Sequence, residues 1–116
     1  MNTISRLSSF VLILFLCLFI SSCATRGIPS ISATTWTGAD SDGDYYVFHF
    51  KSSGELHYKS PTGFWTKATW KQTGDKVYME TNNKYSEYFG TIRGNKIKGT
   101  ARNVKGKKWK WSATRQ

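Results

Sequence analysis

The segment KYSEYFGTIRGNKIKGTARNVKGKKWKWSATR, residues 84–115, carries the pattern that predicts the fold. Apolar or small residues alternate with polar ones along three short runs, and a turn signal containing glycine separates each run from the next. Alternation with a period of two is the signature of a β-strand that has one buried face. Short turns between such runs predict consecutive β-hairpins.

The same pattern extends back to residue 34. Turn signals are spaced 9 to 12 residues apart, centred at Gly43, Gly54, Gly63, Gly74, Asn83, Gly94 and Gly106. Consecutive antiparallel strands most easily close into an up-and-down barrel, which leaves no strand edge exposed. We therefore predict an all-β fold, an eight-stranded antiparallel up-and-down meander closing into a small barrel over residues 34–116. A two-sheet sandwich and an open meander sheet are the alternatives.

Parity within each run assigns its side chains to the interior or to the surface. It predicts that Trp109 and Trp111 face the barrel interior, whereas the lysines beside them face solvent. In FWTKATWKQ, the same rule places Phe64 inside and Trp65 outside.

The first 23 residues have the character of an export signal. Arg6 precedes an unbroken apolar run over residues 10–20, which is shorter than the about 20 residues that span a bilayer. The run ends in ISSC, residues 20–23, which resembles the lipobox of bacterial lipoproteins. That resemblance implies a lipoprotein signal peptide over 1–22, an acylated Cys23 with a flexible tether over 23–33, and a barrel domain over 34–116. An ordinary secretory signal with an incidental cysteine is the alternative.

Lipid on Cys23 would make the membrane a partner of the protein, because two or more acyl chains hold a protein stably at a bilayer surface. Among lipoproteins of Gram-negative bacteria, Asp after the modified Cys favours retention in the inner membrane, and this chain has Ala24 there. The resemblance therefore implies a cell-envelope protein that is anchored in the outer membrane and faces the periplasm. Cys17 leaves with the leader, so the mature chain keeps no free thiol for a disulfide.

Positive charge is concentrated near the carboxyl end. Residues 84–116 contain ten of the 17 basic residues and one of the seven acidic residues. Nearly single-sign faces are unusual, and such a face attracts anionic lipopolysaccharide, phospholipid or cell-wall polymer. A simply solvated face is the alternative, and no nucleic acid is expected at an exported lipoprotein. The candidate anion-binding patch, called the basic face below, comprises Lys96, Lys98, Arg102, Lys105, Lys107, Lys108 and Lys110.

No grouping of residues in the sequence has the pattern of an enzyme active site. There is no nucleophile motif, no inward carboxylate pair and no glycine-rich phosphate loop preceding a helix. Two histidines do not supply the three protein ligands of a catalytic zinc site. We therefore predict a protein that is not an enzyme and that has no cofactor and no metal.

The strand count, the hairpin connections and the opening Trp36-Thr37-Gly38 resemble small lipocalin-like and avidin-like barrels. That resemblance implies a second functional class, a carrier of a small apolar ligand. Its candidate lining is aromatic, although the same rings could instead simply fill the interior of an eight-stranded barrel. The four candidate lining residues are Trp36, Phe48, Trp70 and Trp111.

A third functional class comes from YKSPTGFWTKA, residues 58–68. This segment resembles the YS…FWxKG segment of membrane-bound inhibitors of c-type lysozyme, which are also small barrel lipoproteins. The resemblance implies that Lys67 and Ser60 contact the lysozyme cleft. The sequence departs from the family pattern in lacking its cysteines and in having Lys59 directly after Tyr58.

Overall fold

The computed structural model describes residues 27–116, and every regular element in that range is a β-strand. The signal peptide predicted over 1–22 and the lipidation predicted at Cys23 lie outside the described residues. The eight strands follow one another in chain order: β1 (Thr34–Asp40), β2 (Tyr45–Phe50), β3 (Glu55–Ser60), β4 (Gly63–Thr73), β5 (Lys76–Thr81), β6 (Ser86–Arg93), β7 (Lys96–Asn103) and β8 (Lys108–Arg115).

The strands form one closed barrel. Each strand pairs antiparallel with the next, and β1 pairs with β8, where Gly38 lies opposite Ala113. This closure confirms the predicted meander barrel, and the sandwich and the open sheet are excluded. It leaves neither edge of the sheet unpaired, which removes the template for edge-to-edge aggregation.

The interior is filled by the inward residues that the alternation predicted. Phe48, Phe50, Leu56 and Met79 are buried, and Trp111 is only 4% exposed. The Trp111 ring meets Phe48 edge-on at a centroid separation of 5.9 Å, a favourable aromatic geometry. Lys108 and Lys110 are exposed, so the predicted division of β8 into an aromatic inner face and a cationic outer face is confirmed.

Gly90 makes room for the Trp111 indole. Gly90 and Gly99 lie opposite each other on β6 and β7, and Gly99 lies opposite Trp111 on β8. A Cβ atom added at Gly90 would lie 2.9 Å from Trp111 Cζ2 and 2.7 Å from Cγ2 of Ile97, closer than carbon atoms pack. The indole Nε1 donates a hydrogen bond to the carbonyl of Thr100 at 3.1 Å, so this buried donor is satisfied.

One end of the barrel is closed by the chain that precedes β1. Ile31 is 3% exposed and belongs to the core, and its backbone N–H donates to Gln72 Oε1 at 2.9 Å. Gln72 Nε2 donates in turn to the carbonyl of Pro29 at 3.1 Å. The last residues of the predicted tether are therefore packed against the domain. We call this end, which also carries the β2–β3, β4–β5 and β6–β7 hairpins, the closed end, and the opposite end the open end.

A β-bulge in the β3–β4 pair reverses the parity of the first part of β4. The register shifts between Leu56 and Tyr58, after which Tyr58 pairs with Trp65. Trp65 therefore stacks on the inward Tyr58 at a centroid separation of 6.5 Å, while Phe64 meets the ring of His57 edge-on at 6.1 Å on the other side of the sheet. The predicted inward Phe64 and outward Trp65 were wrong, because an extra residue in one strand exchanges the two faces beyond it.

Within residues 27–116, no helix is long and apolar enough to cross a bilayer.

Candidate binding surfaces

All seven residues of the basic face lie exposed on the outside of the barrel. Hairpin pairing of β7 with β8 brings the strand residues together, because the two strands run side by side over their whole length. Lys105 and Lys107 extend the face into the β7–β8 hairpin at the open end, and Lys96 extends it to the closed end. The predicted cations therefore form one stripe along the length of the barrel.

Like charges lie directly opposite each other at both ends of this stripe. Arg102 pairs in register with Lys108, and Arg93 pairs with Lys96. Side chains directly opposite on one face of an antiparallel pair have Cβ atoms about 4.5–5.5 Å apart, and like charges at that spacing are destabilising. Neighbouring outward positions of the same strands carry the uncharged residues Thr and Ser. The fold nevertheless keeps two pairs of directly opposed cations.

Two cations of the basic face have anionic partners. Arg102 Nη2 lies 3.3 Å from Glu87 Oε1, and its guanidinium lies over the Phe89 ring at 5.2 Å from the centroid. Lys107 Nζ lies 2.7 Å from Asp42 Oδ2, and this hydrogen bond raises the pKa of the Lys107 ammonium. Among the described residues, the other five make no ion pair: Lys96, Lys98, Lys105, Lys108 and Lys110.

The open end holds a cleft of about 810 Å³. That volume falls within the range of about 300–1,000 Å³ that small-molecule sites occupy. Its inner wall is formed by the side chains of Tyr46, Tyr58, Tyr88 and Thr81. Because Trp36, Phe48 and Trp111 fill the barrel below this wall, the cleft is a recess in one mouth and does not run through the barrel.

The three tyrosines line the cleft with neutral hydroxyl groups. Tyr46 Oη donates to Asp40 Oδ2 at 2.8 Å, and burial together with this hydrogen bond raises the pKa of Tyr46 far above its ordinary value. Burial also raises the pKa of Tyr58, against an opposing hydrogen bond with Thr81, and raises the pKa of Tyr88 to about 12. All three phenols therefore carry their protons at neutral pH and remain hydrogen-bond donors.

The rim of the cleft is aromatic and exposed. Trp65 is 48% exposed and lines the cleft, whereas the ring of the neighbouring Phe64, which is 57% exposed, lies against His57 on the outer face of the sheet. The bulge produces this arrangement, since it turns Trp65 onto the Tyr58 ring at the mouth. Bulges are over-represented at barrel rims and beside functional sites, where they redirect a side chain.

The aromatic residues proposed for a carrier lie elsewhere. Trp36, Phe48 and Trp111 are buried in the core and do not line the cleft. Trp70 lies near the closed end, where its Nε1 donates to the carbonyl of Lys51 at 2.9 Å. Trp70 also lines a separate recess of about 490 Å³ at this end, and the carrier function stays a prediction.

Both residues implied by the resemblance to lysozyme inhibitors line the open-end cleft. Ser60 ends β3 and Lys67 lies on β4, and both belong to the cleft wall together with Trp65. The Ser60 hydroxyl accepts a hydrogen bond from Trp65 Nε1 at 3.4 Å. The structure thus brings the two residues to one mouth, and contact with lysozyme stays a prediction.

Sequence reasoning missed the tyrosine wall. Inward parity placed Tyr46, Tyr58 and Tyr88 in the interior, but the alternation does not show which inward rings lack a neighbour opposite them. The residue type could have indicated the wall. A buried tyrosine hydroxyl needs a polar partner or water, so inward tyrosines favour the ends of a barrel interior.

Comparison with known proteins shows the architecture alone. No family profile matches the chain, and no curated protein matches it. The fold is similar to a crystal structure described as "a putative beta-lactamase from Burkholderia vietnamiensis", with a TM-score of 0.53 and 12% sequence identity. The likeness covers 79% of this chain and 98% of that one. At this identity it extends to the fold and carries no activity over.

Proposed function

We propose that the protein is a non-catalytic lipoprotein of the bacterial cell envelope, held at the outer membrane by lipid on Cys23 and facing the periplasm. Its basic face binds the phosphate groups of the membrane lipids beneath it. The supporting observation is that five of its seven cations make no ion pair among the described residues, and that Lys96 also lies directly opposite Arg93. An arrangement that destabilises the free protein is consistent with a surface whose partner supplies the missing anions.

The position of the anchor agrees with this function. Cys23 lies four residues before Gly27, and four extended residues span at most about 14 Å. The chain then packs against the closed end through Ile31, so that end stays near the lipid. Lys96 and Arg93 border the β6–β7 hairpin at the same end. With β7 and β8 turned towards the bilayer along their length, the whole stripe from Lys96 to Lys108 comes within reach of the headgroups, since screening at physiological ionic strength limits such attraction to about 8 Å.

The basic face is tested by vesicle sedimentation of the mature chain without its lipid. Phosphatidylcholine vesicles are compared with vesicles that also contain phosphatidylglycerol. We expect binding to the anionic vesicles alone, and we expect high salt to abolish it. A cation near an anionic membrane contributes about 1 kcal/mol, so replacing four of these lysines by glutamine should weaken binding at least tenfold. The four changes are Lys96→Gln, Lys98→Gln, Lys108→Gln and Lys110→Gln.

A matched variant separates a local surface from net charge. It removes the same number of positive charges from exposed positions on the β2–β4 side: Lys51→Gln, Lys59→Gln, Lys67→Gln and Lys71→Gln. We expect this variant to keep most of the binding. Equal losses in the two variants would show that total charge alone governs binding, and the docking function would then be wrong.

A second candidate function, inhibition of a c-type lysozyme, is favoured by one observation. Ser60 and Lys67 line the same open mouth, where Trp65 is exposed beside them. The test is lysis of a bacterial cell-wall suspension by a c-type lysozyme in the presence of the protein. Inhibition should be lost in Lys67→Ala and kept in Lys71→Ala, a lysine farther along the same strand. Lysozyme that stays fully active with the parent protein would eliminate this function.

A further inference from the structure

The open-end cleft combines exposed aromatic faces with uncharged hydrogen-bonding groups. Trp65 and Tyr58 stack with an interplanar angle of 28° at the mouth, where Trp65 is 48% exposed. The polar side chains around it are mostly hydroxyls and amides, such as those of Ser60, Thr81 and Asn82. We infer that this cleft is a binding site for a neutral oligosaccharide.

The chemistry of the lining selects this ligand class. The face of an aromatic ring carries partial negative charge, and it therefore attracts the partly positive C–H bonds on the face of a sugar ring. The hydroxyl groups of the same sugar can donate to and accept from the tyrosine and threonine hydroxyls of the inner wall. Sugar rings thus match both parts of the cleft, which is the combination of apolar wall and few polar groups typical of ligand sites.

Charged ligands match the cleft less well. One acid, Asp44, and one base, Lys67, line it, so their charges offset each other. Asp40, which accepts from Tyr46, adds negative charge near the wall and disfavours an anion.

The location of the cleft agrees with a soluble or wall-borne glycan. The amino-terminal chain packs on the closed end through Ile31, whereas the cleft opens between the β3–β4 and β5–β6 hairpins at the other end. An anchor attached before Gly27 therefore joins the barrel at the end opposite the cleft and leaves the mouth of the cleft open. The loop at its rim also contains three consecutive residues with left-handed backbone, Asn82, Asn83 and Lys84, and such strain clusters at ligand sites.

The test is a titration of the mature chain with three neutral trisaccharides, chitotriose, cellotriose and maltotriose, followed by calorimetry and by tryptophan fluorescence. We expect saturable binding of at least one of them. Trp65→Ala should weaken that binding about tenfold, because it removes the stacking surface. Tyr58→Phe keeps the ring and removes the hydroxyl, so it should weaken binding less. Phe89→Ala, which removes an exposed ring from the outer face of β6, should leave the affinity unchanged.

Two controls make the outcome decisive. High salt should leave the binding of a neutral sugar unchanged while it abolishes vesicle binding, so the oligosaccharide site and the basic face can fail independently. Binding of the apolar probe 1-aminoanthracene in the cleft, without any trisaccharide binding, would replace this inference by the apolar carrier. Absence of saturable binding for all three trisaccharides, or equal affinity in the parent and in Trp65→Ala with its fold confirmed by circular dichroism, would overturn it.

Discussion

Replacing Lys108 by glutamate changes stability and membrane binding in opposite directions if the basic face is a docking surface. In the parent protein, Lys108 lies directly opposite Arg102 on the outer face of β7 and β8. Arg102 has an anionic neighbour on its other side, Glu87, at 3.3 Å. Lys108→Glu therefore places the Arg102 guanidinium between two carboxylates and removes a repulsive pair.

The gain in stability follows from the cross-strand geometry. A directly opposed charged pair contributes roughly 0.2–1 kcal/mol, with a sign set by the charges. Reversing one charge removes an unfavourable contribution and adds a favourable one, so we expect the free energy of unfolding to rise by about 0.5–1 kcal/mol. In a domain of this size, 1 kcal/mol corresponds to about 4–8 °C in melting temperature. The melting temperature should accordingly rise by roughly 2–8 °C at low salt.

The loss of binding follows from the change of two charge units. At about 1 kcal/mol for each cation near an anionic surface, the variant loses about 2 kcal/mol of binding free energy. This corresponds to an affinity for phosphatidylglycerol vesicles that is weaker by about 30-fold at low salt. Scanning calorimetry and vesicle sedimentation on the same preparation measure the two effects together.

The control is Lys71→Glu, which changes net charge by the same amount on β4, where Lys71 lies opposite Tyr78. It should lose much less vesicle affinity and should gain no stability from a new ion pair. Vesicle binding by Lys108→Glu that equals the parent, or that falls no further than in Lys71→Glu, would refute the docking function. A melting temperature that falls would show that the opposed cations do not repel each other as their register implies.

Three further predictions follow from the core, the cleft and the anchor. Gly90→Ala should lower the free energy of unfolding by about 1–3 kcal/mol in a urea titration, because the added methyl group overlaps Trp111; Gly27→Ala, where a Cβ atom meets nothing within 4 Å, should change it little. Burial raises the pKa of Tyr88 to about 12, so the folded state keeps a proton that the unfolded state loses near pH 10. The free energy of unfolding should therefore fall as pH rises from about 10 to 12, and it should fall less steeply in Tyr88→Phe. Urea titrations at each pH measure both. Cys23→Ala should move the protein from the membrane fraction to the soluble fraction, and retention in the membrane would exclude the lipid anchor.

The predictable part of the site comes from short-range pairing. Strands joined by a short turn lie side by side, so the lysines of KIKGTARN and KKWKWSATR had to meet on one face once the hairpin was recognised. Parity then decided that Trp109 and Trp111 face inward and that their lysine neighbours face solvent. Neither inference requires knowledge of how distant strands meet.

The open-end cleft could not be predicted from the sequence. The residue that defines its mouth, Trp65, was assigned to the wrong face, because the bulge beside His57 leaves no trace in the alternation of β4. The inward tyrosines were identified as interior residues, but the space in front of them depends on the summed volumes of side chains from several strands. Ile31 was likewise assigned to a tether, since a single apolar residue without periodicity gives no sign of the surface that it will cover.

The amino-acid sequence alone determined the strand class, the number of hairpins, the cationic stripe and the inward position of the late tryptophans. These properties depend on local backbone preference and on the alternation of apolar and polar residues with a period of two. Both can be recognised in short segments of the sequence. Only the tertiary structure decided the closure of β1 on β8, the bulge that turns Trp65 into the mouth, the packing of Ile31 against the closed end and the cleft in front of the three tyrosines. Those features are set by packing between residues far apart in the chain. Side-chain volume and strand register there depend on all eight strands together.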